Sequence, residues 1–120
     1  MELAIDITKS AQKDILHLSK AGDSFHKVCS RYLGYLTEKI IQYFTIKGYT
    51  RVSTTSSLTV ATFVFKKNAS VRRIKNILSE ENARNFVALL TITVEKEALA
   101  EVEGYLKDLG IPSRMISLLH

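Results

Sequence analysis

Apolar residues recur at helical spacing near the start of the chain, and this pattern predicts two consecutive helices. The second stripe runs from Phe25 to Phe44, and Gly48 is a suitable stop because glycine readily adopts a left-handed backbone. Since only a few residues separate the two stripes, we expect an antiparallel helical hairpin. The first stripe spans about residues 7–20 and consists of Ile7, Ala11, Ile15 and Leu18.

The pattern changes after this point to residues that favour strands. Thr, Val, Phe and Tyr become frequent, and Tyr49–Ser53 and Leu58–Lys66 predict the two strands of a hairpin. Phe86–Val94 begins with a continuous apolar run, which is typical of a central strand covered on both faces. Ser113–Leu119 predicts a final strand.

Two more helices are predicted between these strands. Ser70 can cap a short helix that ends near Leu78. Residues 95–110 form an amphipathic pattern that ends at Gly110. The predicted fold class is therefore α+β: an N-terminal helical hairpin followed by a small mixed sheet in the order strand–helix–strand–helix–strand, with helices packed on it. We expect a single domain over residues 1–120.

Basic residues are concentrated in the middle of the chain. The net charge is +5, from 17 Lys and Arg against 12 Asp and Glu. The stretch from Lys39 to Ser79 contains eight Lys or Arg residues and no Asp or Glu. A surface dominated by one sign of charge attracts polyanions, so this stretch points to nucleic acid as a partner.

Seven of these basic side chains are the candidate contacts to nucleic-acid phosphates. In the predicted fold a strand ends and the Ser70–Leu78 helix begins at one corner, where the helix N-terminus adds positive charge. No set of base-reading side chains is apparent, so we expect weak sequence preference. The primary contacts are Lys66, Lys67, Arg72, Arg73 and Lys75, and they are extended by Lys47 and Arg51.

Local patterns resemble two nucleic-acid-binding folds over short stretches only. The tripeptide Lys47-Gly48-Tyr49 resembles the opening of a strand in RNA-recognition motifs, but the next two residues depart from that motif. The long helix before the strand hairpin is similar in outline to a winged helix-turn-helix. Phe63 and Phe65, at alternate strand positions, fit either a pair that stacks on bases or a pair in the core.

The sequence contains no motif that supports an enzyme. A Gly-rich phosphate loop, HExxH and G-x-S-x-G are all absent. Cys29 is the single cysteine, and with Asp23 and His26 it makes a set too small for the usual zinc site. We expect no catalytic residue, no metal and no cofactor. The lack of a signal-like segment and of an apolar run of membrane length predicts a cytoplasmic protein with no membrane partner.

The sequence thus predicts a small nucleic-acid-binding module that contacts DNA or RNA phosphates. The alternative is a protein-interaction or structural module, in the form of a homo-oligomer, whose basic surface has no nucleic-acid role. Binding of random DNA and RNA distinguishes the two hypotheses.

Overall fold

The computed structural model describes residues 1–8, 25–80 and 86–119, which form an antiparallel sheet with helices on one face. The helices are α1 (Phe25–Ile46) and α2 (Leu99–Asp108), with short 3-10 helices at Lys96–Ala98 and Ser113–Met115. The strands are β1 (Glu2–Asp6), β2 (Thr50–Ser56), β3 (Val60–Lys67), β4 (Ser70–Glu80), β5 (Phe86–Thr93) and β6 (Ile116–Leu119). Their order in the sheet is β2–β3–β4–β5–β1–β6, and every pairing is antiparallel.

The core lies between the sheet and the helices. α1 packs over β4 and β5, and the amide of Asn76 on β4 donates a hydrogen bond of 3.3 Å to the hydroxyl of Thr37 on α1. α2 lies beside α1, because the rings of Tyr43 and Tyr105 stack at a centroid distance of 4.3 Å. The fully buried side chains that strands contribute to this inner face include Leu3, Ile5, Phe65, Ile74, Leu90 and Ile92.

The chain begins with a strand, so the prediction that a helical hairpin precedes the whole sheet is wrong. β1 lies inside the sheet between β5 and β6, and Leu3 and Ile5 point to the core. Five residues are too few to show a clear alternation, and Ile7 directly continues into the helical stripe that dominated the pattern. Beyond Thr8, the predicted first helix lies outside the described residues.

The predicted helix over Ser70–Leu78 is also wrong, because these residues belong to β4. A two-residue turn, Asn68–Ala69, reverses the chain after β3, and Asn68 has a φ of 56° that asparagine tolerates better than most residues. β4 pairs with β3 on one side and β5 on the other. Without this helix there is no strand–helix–strand crossover at this point, and the sheet is antiparallel and not mixed.

Other elements agree with the sequence patterns. α1 ends at Ile46, and Gly48 follows with a φ of 95°. The β2–β3 hairpin is present, although β2 extends to Ser56, beyond its predicted end at Ser53. β5 is an interior strand, but the predicted cover on both faces is incomplete, since Val87 on the outward side is 41% exposed while Thr91 on the same side is buried.

Candidate nucleic-acid interface

The structure brings three of the predicted basic residues together on the side of the sheet that faces away from α1 and α2, here called the outer face. Successive residues of a strand point to opposite faces. Because Ile74 on β4 points to the core, its neighbours Arg73 and Lys75 point outward, and both are exposed. Lys66 on β3 is exposed on the same face, since it lies opposite Val71 in the register of the hairpin.

These three residues, Lys66, Arg73 and Lys75, form a line that we call the basic stripe. Arg73 lies opposite Val64, two positions from Lys66, and Lys75 lies opposite Thr62, four positions from Lys66. At 3.3–3.4 Å per residue, the stripe extends about 13 Å along the strands. It therefore presents three cations at the regular two-residue repeat of a β-ladder.

Hydroxyl groups flank the basic stripe on both sides. On β5, Thr93 lies opposite Arg73 and is partly exposed, whereas Thr91, which lies opposite Lys75, is buried. On β3, Thr62 lies opposite Lys75. Hydroxyls can donate hydrogen bonds to phosphate oxygens, as lysine and arginine do. The outer face thus combines charged and neutral donors on one side of the sheet.

The basic stripe is not neutralised by the part of the chain that the structure describes. None of its three residues makes an ion pair with another described residue. The acidic residue nearest to Arg73 across the paired strands is Glu2 on β1. Glu2 lies opposite Thr93 on β5, and Thr93 lies opposite Arg73 on β4. These three residues border a shallow cavity of about 300 Å³. The carboxylate of Glu2 limits the region that attracts anions to the β2–β5 side of the sheet.

Arg72 is separated from the basic stripe because it points to the core. It is only 5% exposed, and its Nη2 donates to Oε1 of Glu95 at 2.8 Å. Its guanidinium carbon lies 4.2 Å from the centroid of the Tyr49 ring. The charge of Arg72 is already paired inside the protein, so we leave this residue out of the candidate interface.

Three other predicted contacts lie away from the basic stripe. Lys47, just after α1, forms an ion pair of 2.6 Å with Glu101 of α2. Lys67 donates from Nζ to the carbonyl of Lys47 at 2.9 Å. Arg51 on β2 lies over the Phe63 and Phe65 rings, with its guanidinium carbon 5.4 and 5.8 Å from the ring centroids. All three have intramolecular contacts that partly satisfy their charge or their hydrogen bonds.

The predicted corner at residues 66–75 is therefore a β-hairpin whose charges are divided between two faces. Strand alternation sends Lys66, Arg73 and Lys75 outward and Arg72 inward, whereas a helix would have placed adjacent arginines on one solvated side. Sequence reasoning missed the flanking threonines. A strand assignment for Ser70–Ser79 would have found them, because pairing across the ladder then aligns threonine-rich strands.

The described residues contain no cluster of three or more His, Cys, Asp or Glu side chains that could hold a metal ion. Cys29 is fully buried, and burial raises the pKa of its thiol to about 11. Asp23, noted above for its spacing to Cys29, lies outside the described residues. In the described ranges, neither helix has the combined length and apolar character that a membrane crossing requires.

Comparison with known proteins gives no match. The chain matches no family model, no curated protein and no solved structure.

Proposed function

We propose that this protein binds nucleic acid through phosphate contacts on the outer face of its sheet. The observation that carries the proposal is the basic stripe of Lys66, Arg73 and Lys75, which is exposed and makes no ion pair with any described residue. Cations that contact phosphates release condensed counterions, which favours binding at low salt. Lys47, Lys67 and Arg51 lie on other surfaces and contribute to the long-range field and not to direct contact.

Replacement of Arg73 and Lys75 by glutamine tests the proposal. Arg73→Gln/Lys75→Gln should weaken binding to DNA and RNA, and the slope of log affinity against log salt should become shallower by about two, since each lost phosphate contact removes roughly one unit. The measurement is fluorescence anisotropy over a salt series. Circular dichroism should show an unchanged fold, because exposed charges contribute little to stability.

A matched control removes the same charge from the helical side. Lys96 and Lys107 are exposed, and Lys96→Gln/Lys107→Gln lowers the net charge equally without altering the outer face. This variant should retain most of the affinity and the salt slope. Equal losses of affinity in the two double variants would show that nucleic acid is attracted by the net charge and not by the basic stripe. If the parent protein did not bind nucleic acid at low salt, the proposed function would be rejected.

A second candidate function is self-association through the free edge of β2. All seven residues of this edge strand are exposed. The backbone N–H and C=O groups on the side of β2 away from β3 have no strand partner among the described residues. Unpaired edges of this kind are templates for pairing with another chain. Light scattering over a range of protein concentrations tests whether copies associate.

A further inference from the structure

We infer that the ligand of the outer face is a nucleic-acid duplex, recognised through its sugar–phosphate backbone without contact to base faces. The inference rests on the proposed function and names the kind of nucleic acid that fits the same surface. It depends on where the aromatic side chains of the chain lie and on the spacing of the basic stripe.

Proteins that bind single strands combine a basic groove with aromatic side chains on which the bases stack. This chain contains five Phe, five Tyr and no Trp, and the structure describes all ten aromatic residues. None of them lies on the outer face. The outward positions of β3, β4 and β5 that surround the basic stripe are occupied by aliphatic side chains, such as Val64, Ile77 and Leu89, and by threonine and serine.

The aromatic pair on β3 points to the other side. Phe65 is buried and meets Phe44 of α1 edge-on at a centroid distance of 5.4 Å. Phe63 packs against the core cluster. Arg51 lies over both rings, so its guanidinium occupies the position that a stacked base would take. The alternative that Phe63 and Phe65 are core side chains is confirmed, and the outer face has no stacking platform.

The charged groups of the outer face suit a rigid array of phosphates. The basic stripe places three cations over about 13 Å. One strand of a DNA duplex advances about 3.4 Å per phosphate along its axis, so about four phosphates of one strand pass over the same length. The stripe is held by hydrogen-bonded strands, and the partly exposed hydroxyls of Thr62 and Thr93 flank it. The backbone that carries these cations is fixed by pairing with the neighbouring strands, so only the side chains lose freedom when they meet a duplex.

The experiment compares three probes with equal numbers of phosphates: a mixed-sequence single strand, the same strand with every base replaced by an abasic tetrahydrofuran, and a hairpin duplex. We expect the normal and abasic single strands to bind within about twofold of one another at each salt concentration, because no aromatic side chain stacks on the bases. We expect the duplex to bind at least tenfold more tightly than either single strand.

Two results would overturn the inference while leaving the proposed function intact. One is a normal strand that binds at least about fivefold more tightly than the abasic strand, which is the smallest effect expected from one stacked base. The other is a duplex that binds no better than the single strands. If Arg73→Gln/Lys75→Gln bound all three probes as the parent does, the proposed function itself would fail.

Discussion

At the scale of single residues, the chain uses its arginines for two different purposes. Arg73 is exposed on the outer face and forms no ion pair with a described residue, whereas the adjacent Arg72 is held in the core by Glu95. The carboxylate of Glu95 also accepts hydrogen bonds from Tyr49 Oη and Ser70 Oγ, each at 3.1 Å. This cluster joins the start of β4 to the segment that follows β5, so it positions the strand that carries the basic stripe.

We predict that Glu95→Gln destabilises the protein strongly. Removal of one partner from a buried ion pair leaves an uncompensated charge, and Nη1 of Arg72 is already buried without a hydrogen-bond partner among the described residues. The expected loss in the free energy of unfolding is about 3 kcal/mol, at the lower end for buried pairs because Glu95 is partly exposed. Urea denaturation of the parent and the variant measures this loss.

The matched control is Glu101→Gln, which removes the carboxylate partner of Lys47 at an exposed site. Exposed ion pairs contribute little, so this variant should change the unfolding free energy much less. Similar losses for the two variants would contradict the structural role assigned to Glu95.

The acid stability of the protein should depend on the same carboxylate. The hydrogen bond from Arg72 lowers the pKa of Glu95 from 4.5 to about 2. A carboxyl group with a depressed pKa in the folded state stabilises the protein above its unfolded pKa, and this contribution is lost as the pH falls from about 4.5 towards 2. The parent should therefore lose stability over this range, and Glu95→Gln should show a weaker dependence there.

At the scale of elements, the sequence pattern identified a helix or a strand correctly where one periodicity dominated. The apolar stripe of α1 and the apolar run that opens β5 each admitted one interpretation. β4 was ambiguous, because Val71, Ile74 and Ile77 are spaced three apart and satisfy a helical pattern. In a strand, apolar inward residues alternate with polar outward ones, and Arg72 breaks this alternation because it is a charged residue at an inward position. Its inward position depends on the ion pair with the distant Glu95. Long-range pairing of this kind is not visible in a local pattern, and the basic stripe could not be located without it.

The two isoleucines of β4 provide a test of this element. Ile74 is fully buried on the inner face, whereas Ile77 lies on the outer face and is partly exposed. Ile74→Ala should lower the free energy of unfolding by about 2–5 kcal/mol, because it leaves a cavity in the core. Ile77→Ala should cost clearly less, since its site opens to solvent. Chemical denaturation of both variants compares them, and equal losses would support the helical alternative, in which both side chains face inward.

At the scale of the whole molecule, the two sides of the sheet carry different kinds of side chain. The inner face holds the core and all of the aromatic residues on strands, while the outer face holds the basic stripe. The free edge at β2 lies next to β3, so any strand added there would lie close to the basic stripe. The two candidate functions are therefore compatible, because edge pairing does not cover the outer face.

Two copies that pair antiparallel through β2 are related by a two-fold axis perpendicular to the sheet, which keeps both outer faces on one side. Five strand spacings of about 4.8 Å would then separate the two β4 strands by about 24 Å. Arg51 does not block the edge in the way that charged edge residues often do, because its guanidinium lies over Phe63 and Phe65.

We therefore predict that the molar mass measured by light scattering rises from 13.5 kDa towards twice this value as the protein concentration increases. Thr54→Glu should hold the protein at the lower mass, because two carboxylates would approach one another across the paired β2 edges. Ser113→Glu, an equal charge change at an exposed site away from β2, should not prevent association. A mass that stays at 13.5 kDa at every concentration would reject self-association. The proposal of phosphate contact would stand, since each copy carries a complete basic stripe.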